Sequence, residues 1–292
     1  DFLLTNDQAS QIVYFRSGPD GQLYMIDWYD LNQCHRTEKE VHDASNGRVF
    51  RVVYNDAKPV VVDLASKNDG ELVSYQLDAN DWYVRTARRM LQERFVAGKL
   101  TPAVRGELEK IAFDHADETR RLRGMWALHV TGGLDESSID RFLSDQSPYV
   151  RGFAIQLSLE GASGRPEMAL LAKYIERASQ DDSPVVRLYL VSAAQRLIVE
   201  DRRLLLAALL AHSEDVSDHN LPQMLWYAME PIADDDPKGA LAMAMQSSHP
   251  IHAEFMARRL ALSKGKEGIA EIVRQLREES SWSDVTRGLL RG

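Results

Sequence analysis

The sequence predicts a mainly α protein, an α-α superhelix of HEAT-like helix pairs with a small β segment at its N-terminus that resembles the end of a β-propeller. Three observations predict it. Apolar residues recur at spacings of three and four from about residue 81 onward, an Asp-rich box ending in Val-Arg repeats within that stretch, and alternating β-branched runs are confined to the first 62 residues. The expected organisation is a β segment over 1–62, a connector over 63–80 and a helical array over 81–292.

The β segment begins with the apolar run Gln11–Phe15. The Gly18–Gly21 sequence GPDG supplies a tight turn, QLYMIDWY alternates into a second strand, and GRVFRVVY over Gly47–Tyr54 makes a third. Three or four strands bury too little to be stable by themselves, so this piece is expected to lean on something else. The connector carries one strand-like or packed stretch at Val60–Leu64.

Beyond it, helices are expected near 82–97, 102–113, 118–130, 136–143, 148–160, 166–178, 184–198, 202–211, 221–232, 237–246, 250–262 and 266–277. DANDWYVR ends at Arg85, DQSPYVR at Arg151 and DDSPVVR at Arg187, and ETRRLRGMWAL places Arg123 between the first two. The gaps 85 to 123, 123 to 151 and 151 to 187 are 38, 28 and 36 residues, a period typical of a solenoid of helix pairs, here about six of them. In this reading Asp81, Asp145 and Asp182, or a nearby Ser, cap helix starts. Pro148 and Pro184 occupy first turns, where no amide hydrogen is needed, and Arg85, Arg123, Arg151 and Arg187 pair with carboxylates as a structural ladder. The units after residue 218 lose the box, as terminal repeats of solenoids do.

The totals narrow the function. A formal net charge of −9 and a pI near 5.4 argue against nucleic acid as the main partner. No window of 18 residues is apolar and uncharged, so no membrane span is expected, and the single cysteine, Cys34, excludes an internal disulfide framework. The chain begins with Asp rather than Met, from which a processed protein or an excised piece is expected. No Gly-x-Ser-x-Gly elbow, P-loop or Rossmann fingerprint occurs.

The series GPDGQLYMIDWYD, NGRVFRVVY, NDWYVRTARRMLQER, LRGMWALHVTGGLD and DHNLPQMLWYAMEP, in this order, resembles the large haem-binding membrane-bound dehydrogenase family of planctomycetes and verrucomicrobia, over nearly the whole chain. The resemblance implies a propeller similar to quinone-dependent sugar dehydrogenases, then HEAT repeats, then a c-type cytochrome. It also implies export to the periplasm and a parent protein that uses pyrroloquinoline quinone, calcium and haem c. Only the propeller's end and the HEAT region match here, and Cys34–His35 lacks the second cysteine of a CxxCH haem attachment. The expectation is therefore a scaffold that positions a redox propeller relative to a cytochrome, with no catalytic residues and no cofactor of its own; the partners are other domains of the same protein or a protein partner. A stand-alone protein-binding module is the alternative.

Two clusters carry the remaining chemistry. Asp27 and Asp30 end the second β run, where a carboxylate can hold calcium or a substrate hydroxyl. The insert DLNQCHRTEKEVHDASN sets His35, Glu38 and His42 on one helical face, a spacing that suits a divalent metal but matches no zinc-protease signature.

Overall fold

The computed structural model describes residues 3–32, 37–38, 42–43, 45–160, 166–278 and 283–292. About 60% of the chain is helical, with a three-stranded antiparallel sheet at the N-terminus. The chain divides into two units, Asp1–Leu134 and Asp135–Gly292. The division falls inside the stretch read from the sequence as one array.

In the first unit, β1 (Ile12–Ser17), β2 (Leu23–Asp27) and β3 (Arg48–Val52) pair in that order, with β2 central and Arg48 opposite Asp27 in the register. The β1–β2 turn is the GPDG sequence. Gly21 takes φ 72°, a left-handed value that suits glycine, and donates its amide to the Gly18 carbonyl at 3.0 Å. Asp20 accepts from the Gln22 amide and the Tyr24 hydroxyl and pairs with Arg51 at 3.1 Å. Along β1 every residue is exposed, including Val13, Tyr14 and Phe15, and only Met25 and Asp27 are buried on β2.

The stretch read as a connector holds a helix, α1 (Asp69–Ser74), capped by a reciprocal Asn68–Glu71 box. Residues 60–64 form no strand; Leu64 is buried and Val61 is exposed. Helices α2 (Asp81–Val96), α3 (Ala103–Asp114) and α4 (Glu118–Val130) follow, α3 against α4 and α2 against α4. Gly124 makes the α3–α4 contact close, since a Cβ there would come within 2.7 Å of the Ala112 amide nitrogen. Asn80 ties sheet to helix: its side chain caps α2 at the Trp82 amide and donates to the carbonyls of Gly18, at 2.9 Å, and Pro19.

The second unit starts with α5 (Glu136–Leu143) and α6 (Pro148–Ser158), then α7 (Met168–Gln180), α8 (Pro184–Ala194), α9 (Val199–Leu209) and α10 (Leu221–Met229). Pro148 and Pro184 stand at the first positions of α6 and α8. Helices α6, α8 and α10 lie side by side, α7 packs beside α9, and α8 also contacts α7 and α9, which makes two layers. Val150, Ala154, Ile155, Val186, Leu190, Leu205 and Leu206 fill the space between them and are wholly buried. The chain continues through α11 (Ile232–Asp235), α12 (Pro237–Gln246), α13 (Ile251–Lys264), α14 (Lys266–Glu278) and α15 (Asp284–Arg291), with α13 against α12, α14 and α15.

Candidate functional site

Four of the buried charged side chains, Arg151, Asp181, Arg187 and Asp215, form one arrangement. Arg151 and Arg187 are both buried, at 9% and 2% exposure. Each stands four residues after its helix's N-cap, Ser147 or Ser183, and so points back toward the loop that precedes the helix. Arg151 grips both oxygens of Asp181 at 2.7 and 2.8 Å and donates to the carbonyls of Asp145 and Gln146. Arg187 grips both oxygens of Asp215 at 2.6 Å and donates to the carbonyl of Asp181 at 2.9 Å. Asp181 therefore receives Arg151 on its side chain and Arg187 on its backbone, and the two bridges form one continuous chain of bidentate, charge-assisted bonds.

This geometry revises several positions named from the sequence. The carboxylate that Arg151 uses is Asp181; Asp182, one residue on, is solvent-exposed and only 3.8 Å from the guanidinium. Asp145 contributes its carbonyl to Arg151 and its side chain to the Ser147 amide. In the first unit, the residue that corresponds to Arg151 and Arg187 is Arg121. It is buried, stands four residues after the N-cap Asp117, and donates to the carbonyls of His115 and Ala116, six and five residues before it. Arg123 instead donates to the Asp78 carbonyl at 2.8 Å and reaches Asp81 at 3.5 Å, while Arg85 meets Asp81 at 3.2 Å on an exposed face. Counting from the cap residue, rather than aligning on Val or Leu before Arg, is the signal that separates Arg121 from Arg123.

Asp27 and Asp30 are nearly inaccessible, at 3% and 4% exposure. Asp27 accepts the amides of Gln11 at 2.6 Å and Tyr29 at 3.3 Å, the Ser10 hydroxyl, and two donors of Arg48. Burial opposes its charge, but the Arg48 bonds and the two amides outweigh it and hold the carboxyl below its usual range. Asp30 accepts the Asn32 and Asp43 amides, both at 2.8 Å, and these lower its pKa against the cost of burial. Carboxylates bonded in this way organise turns. Asp27 has no oxygen left for calcium or a substrate hydroxyl, so the fit to a cation is poor. Of the insert residues, His35 lies outside the described residues, Glu38 is exposed, and Nδ1 of His42 is 3.7 Å from Asp30. Among the described residues no group of three or more metal-ligating side chains comes together.

Two features had no counterpart in the sequence reading. A trough of about 590 Å³ crosses α6, α8 and α10, with Arg196 beside it. Behind α10, His252 is buried with Nδ1 2.8 Å from the Ser247 hydroxyl and Nε2 2.8 Å from the Pro222 carbonyl. Burial pushes its imidazole down to about 4. No protein-family model matches the chain, and no curated protein or solved structure does either.

Proposed function

We propose that this chain is a structural and interaction scaffold: a HEAT-like α-α superhelix joined to the last strands of a β-propeller, which positions a quinone-dependent-dehydrogenase-like propeller relative to a c-type cytochrome. The observation that carries the proposal is that the buried charges are consumed by structure. Arg151, Arg187, Asp181 and Asp215 fasten successive helices to one another, and Asp27 and Asp30 close turns of the sheet. A bonded network of this kind confers rigidity and commits these charged groups to holding the fold. The sheet adds support, because Val13, Phe15, Ile26 and Val49 are exposed apolar residues on a sheet whose outer strands, β1 and β3, pair with no further strand among the described residues, which is how one piece of a larger β structure looks.

In this reading the partners are protein, the redox chemistry belongs to neighbouring domains, and the setting is the periplasm. The test is to incubate the purified chain with pyrroloquinoline quinone and calcium, desalt it, and assay sugar or alcohol oxidation with an artificial electron acceptor. The expected result is no turnover and no retained quinone; sustained turnover by the isolated chain overturns the scaffold. A second reading, a stand-alone protein-binding module, is favoured by the trough over α6, α8 and α10.

A further inference from the structure

We infer that the trough across α6, α8 and α10 docks an extended peptide segment presenting a carboxylate beside an apolar side chain, with Arg196 reading the carboxylate. The inference rests on the scaffold reading and names the chemistry of the partner.

The three helices lie side by side, so their outward rows form a shallow channel of about 590 Å³. Leu159, Leu188 and Met224 give it apolar walls, and the Met224 thioether is a soft surface that adapts to different side chains. Tyr189 packs down onto α6 because residue 152 is glycine: a Cβ there would stand 2.5 Å from the ring. Gln156, Ser192 and Asn220 are exposed along the channel and offer amide and hydroxyl groups to a peptide backbone.

The charge decides the occupant. Arg196 donates to the Leu159 carbonyl at 2.7 Å, which fixes its guanidinium at the channel. Among the described residues no carboxylate lies within 4.0 Å of it, whereas Arg151 and Arg187 of the same layer each hold an aspartate. On a chain of net charge −9, an arginine with no counter-ion among the described residues, set beside an apolar channel, is complementary to a negative group flanked by apolar surface. The channel is open, with Gln156, Ser192, Arg196 and Asn220 all exposed along it. It cannot enclose most of a small ligand, as small-molecule sites do, and suits a chain laid across three helices.

The test is a fluorescence-anisotropy titration of the full chain with labelled peptides of equal length in a Gly-Ser background. One carries Glu-Leu pairs, the second has Gln for every Glu, the third has Ser for every Leu, and the fourth has Lys for every Glu. The Glu-Leu peptide is expected to bind and the second and third to bind far more weakly. Arg196→Glu should weaken the Glu-Leu peptide by at least ~10-fold and let the Lys-Leu peptide bind. Ser192→Trp, which fills the channel from an exposed position, should abolish binding while circular dichroism and melting stay as in the parent chain. Equal binding of the Gln and Glu peptides, no effect of Arg196→Glu, competition by free N-acetylglutamate at the same concentration as peptide, or no saturation by about 1 mM each overturns the inference. Turnover in the oxidation assay would instead remove the scaffold reading and leave this titration standing.

Discussion

In the C-terminal unit Arg187 closes two bonds of 2.6 Å onto an aspartate that is 4% exposed; in the N-terminal unit Arg85 meets Asp81 at 3.2 Å on an open helix face. Both arginines end a box of Asp, Val and Arg. The difference lies in where the acid comes from. Asp215 arrives from a turn 28 residues downstream, after another helix has packed into place, whereas Asp81 is simply the preceding turn of the same helix. A pair assembled by tertiary packing is removed from water and costs much to break. A local pair stays hydrated and contributes little.

Removing one partner should expose that contrast most sharply. Arg187→Ala leaves Asp215 buried without its counter-charge and is expected to destabilise the chain by about 3–5 kcal/mol in urea unfolding. The double variant Arg187→Met with Asp215→Leu should recover most of that loss, because the stranded charge is gone. If Arg187→Ala costs no more than a surface change, the buried bridge is not what holds these helices together.

Acid should weaken the same unit by a different route. The His252 imidazole takes a proton near 6.5 when the chain is unfolded but only near 4 in the fold. Between these values the unfolded state binds more protons, so stability is full above pH 6.5 and falls as the pH drops toward 4. At ~1.4 kcal/mol per pH unit the loss reaches roughly 3 kcal/mol by pH 4. His249, buried beside it, is also held below its ordinary pKa, first by burial, and adds to the same slope. Melting temperatures across this range should fall less steeply in His252→Asn than in the parent chain; parallel slopes would place the acid sensitivity elsewhere.

Within the N-terminal unit the sensitive point should be a close helix approach rather than an ion pair. Gly124→Ala pushes a methyl group against the Ala112 backbone and is expected to cost about 1–3 kcal/mol. Arg85→Ala, on the exposed face of α2, should change stability by about 0–0.5 kcal/mol. A larger Arg85 effect would erase the distinction between the two units.

The same distinction explains what could be read from the residues. The helices from α2 to α10 and from α12 to α14 were legible because prolines at 148 and 184 and the spacing of three and four are local signals. The three strands were legible from their β-branched runs and the GPDG turn. Helix α1 escaped because it is six residues long and its signal is a polar capping box inside a stretch rich in turn residues. Helix α15 escaped for a similar reason, since its Ser283 cap follows a run of glutamates and serines that lacks an apolar period. Arg151 and Arg187 were identifiable as ladder residues, but Asp181 and Asp215 were not, because a bond spanning 28 or 30 residues depends on which helices become neighbours. The channel was invisible for the same reason: Leu159, Tyr189 and Met224 become one surface only when α6, α8 and α10 align.

The Arg48–Asp27 pair in the sheet has one more consequence. Most sheets fix their register by hiding an apolar face, but β1 hides nothing and β2 hides only Met25 among its apolar residues. Asp27 and Arg48 stand directly opposite one another, and the guanidinium also lies 3.6 Å from the centre of the Tyr29 ring. Sliding β3 by a single residue would send Arg48 to the opposite face and leave the Asp27 carboxylate enclosed without its cation. Alignment of these strands is thus written largely in charge, with Arg51 on Asp20 as a second such contact, so a lysine at 48, lacking the planar fork, would keep the charge and lose the key.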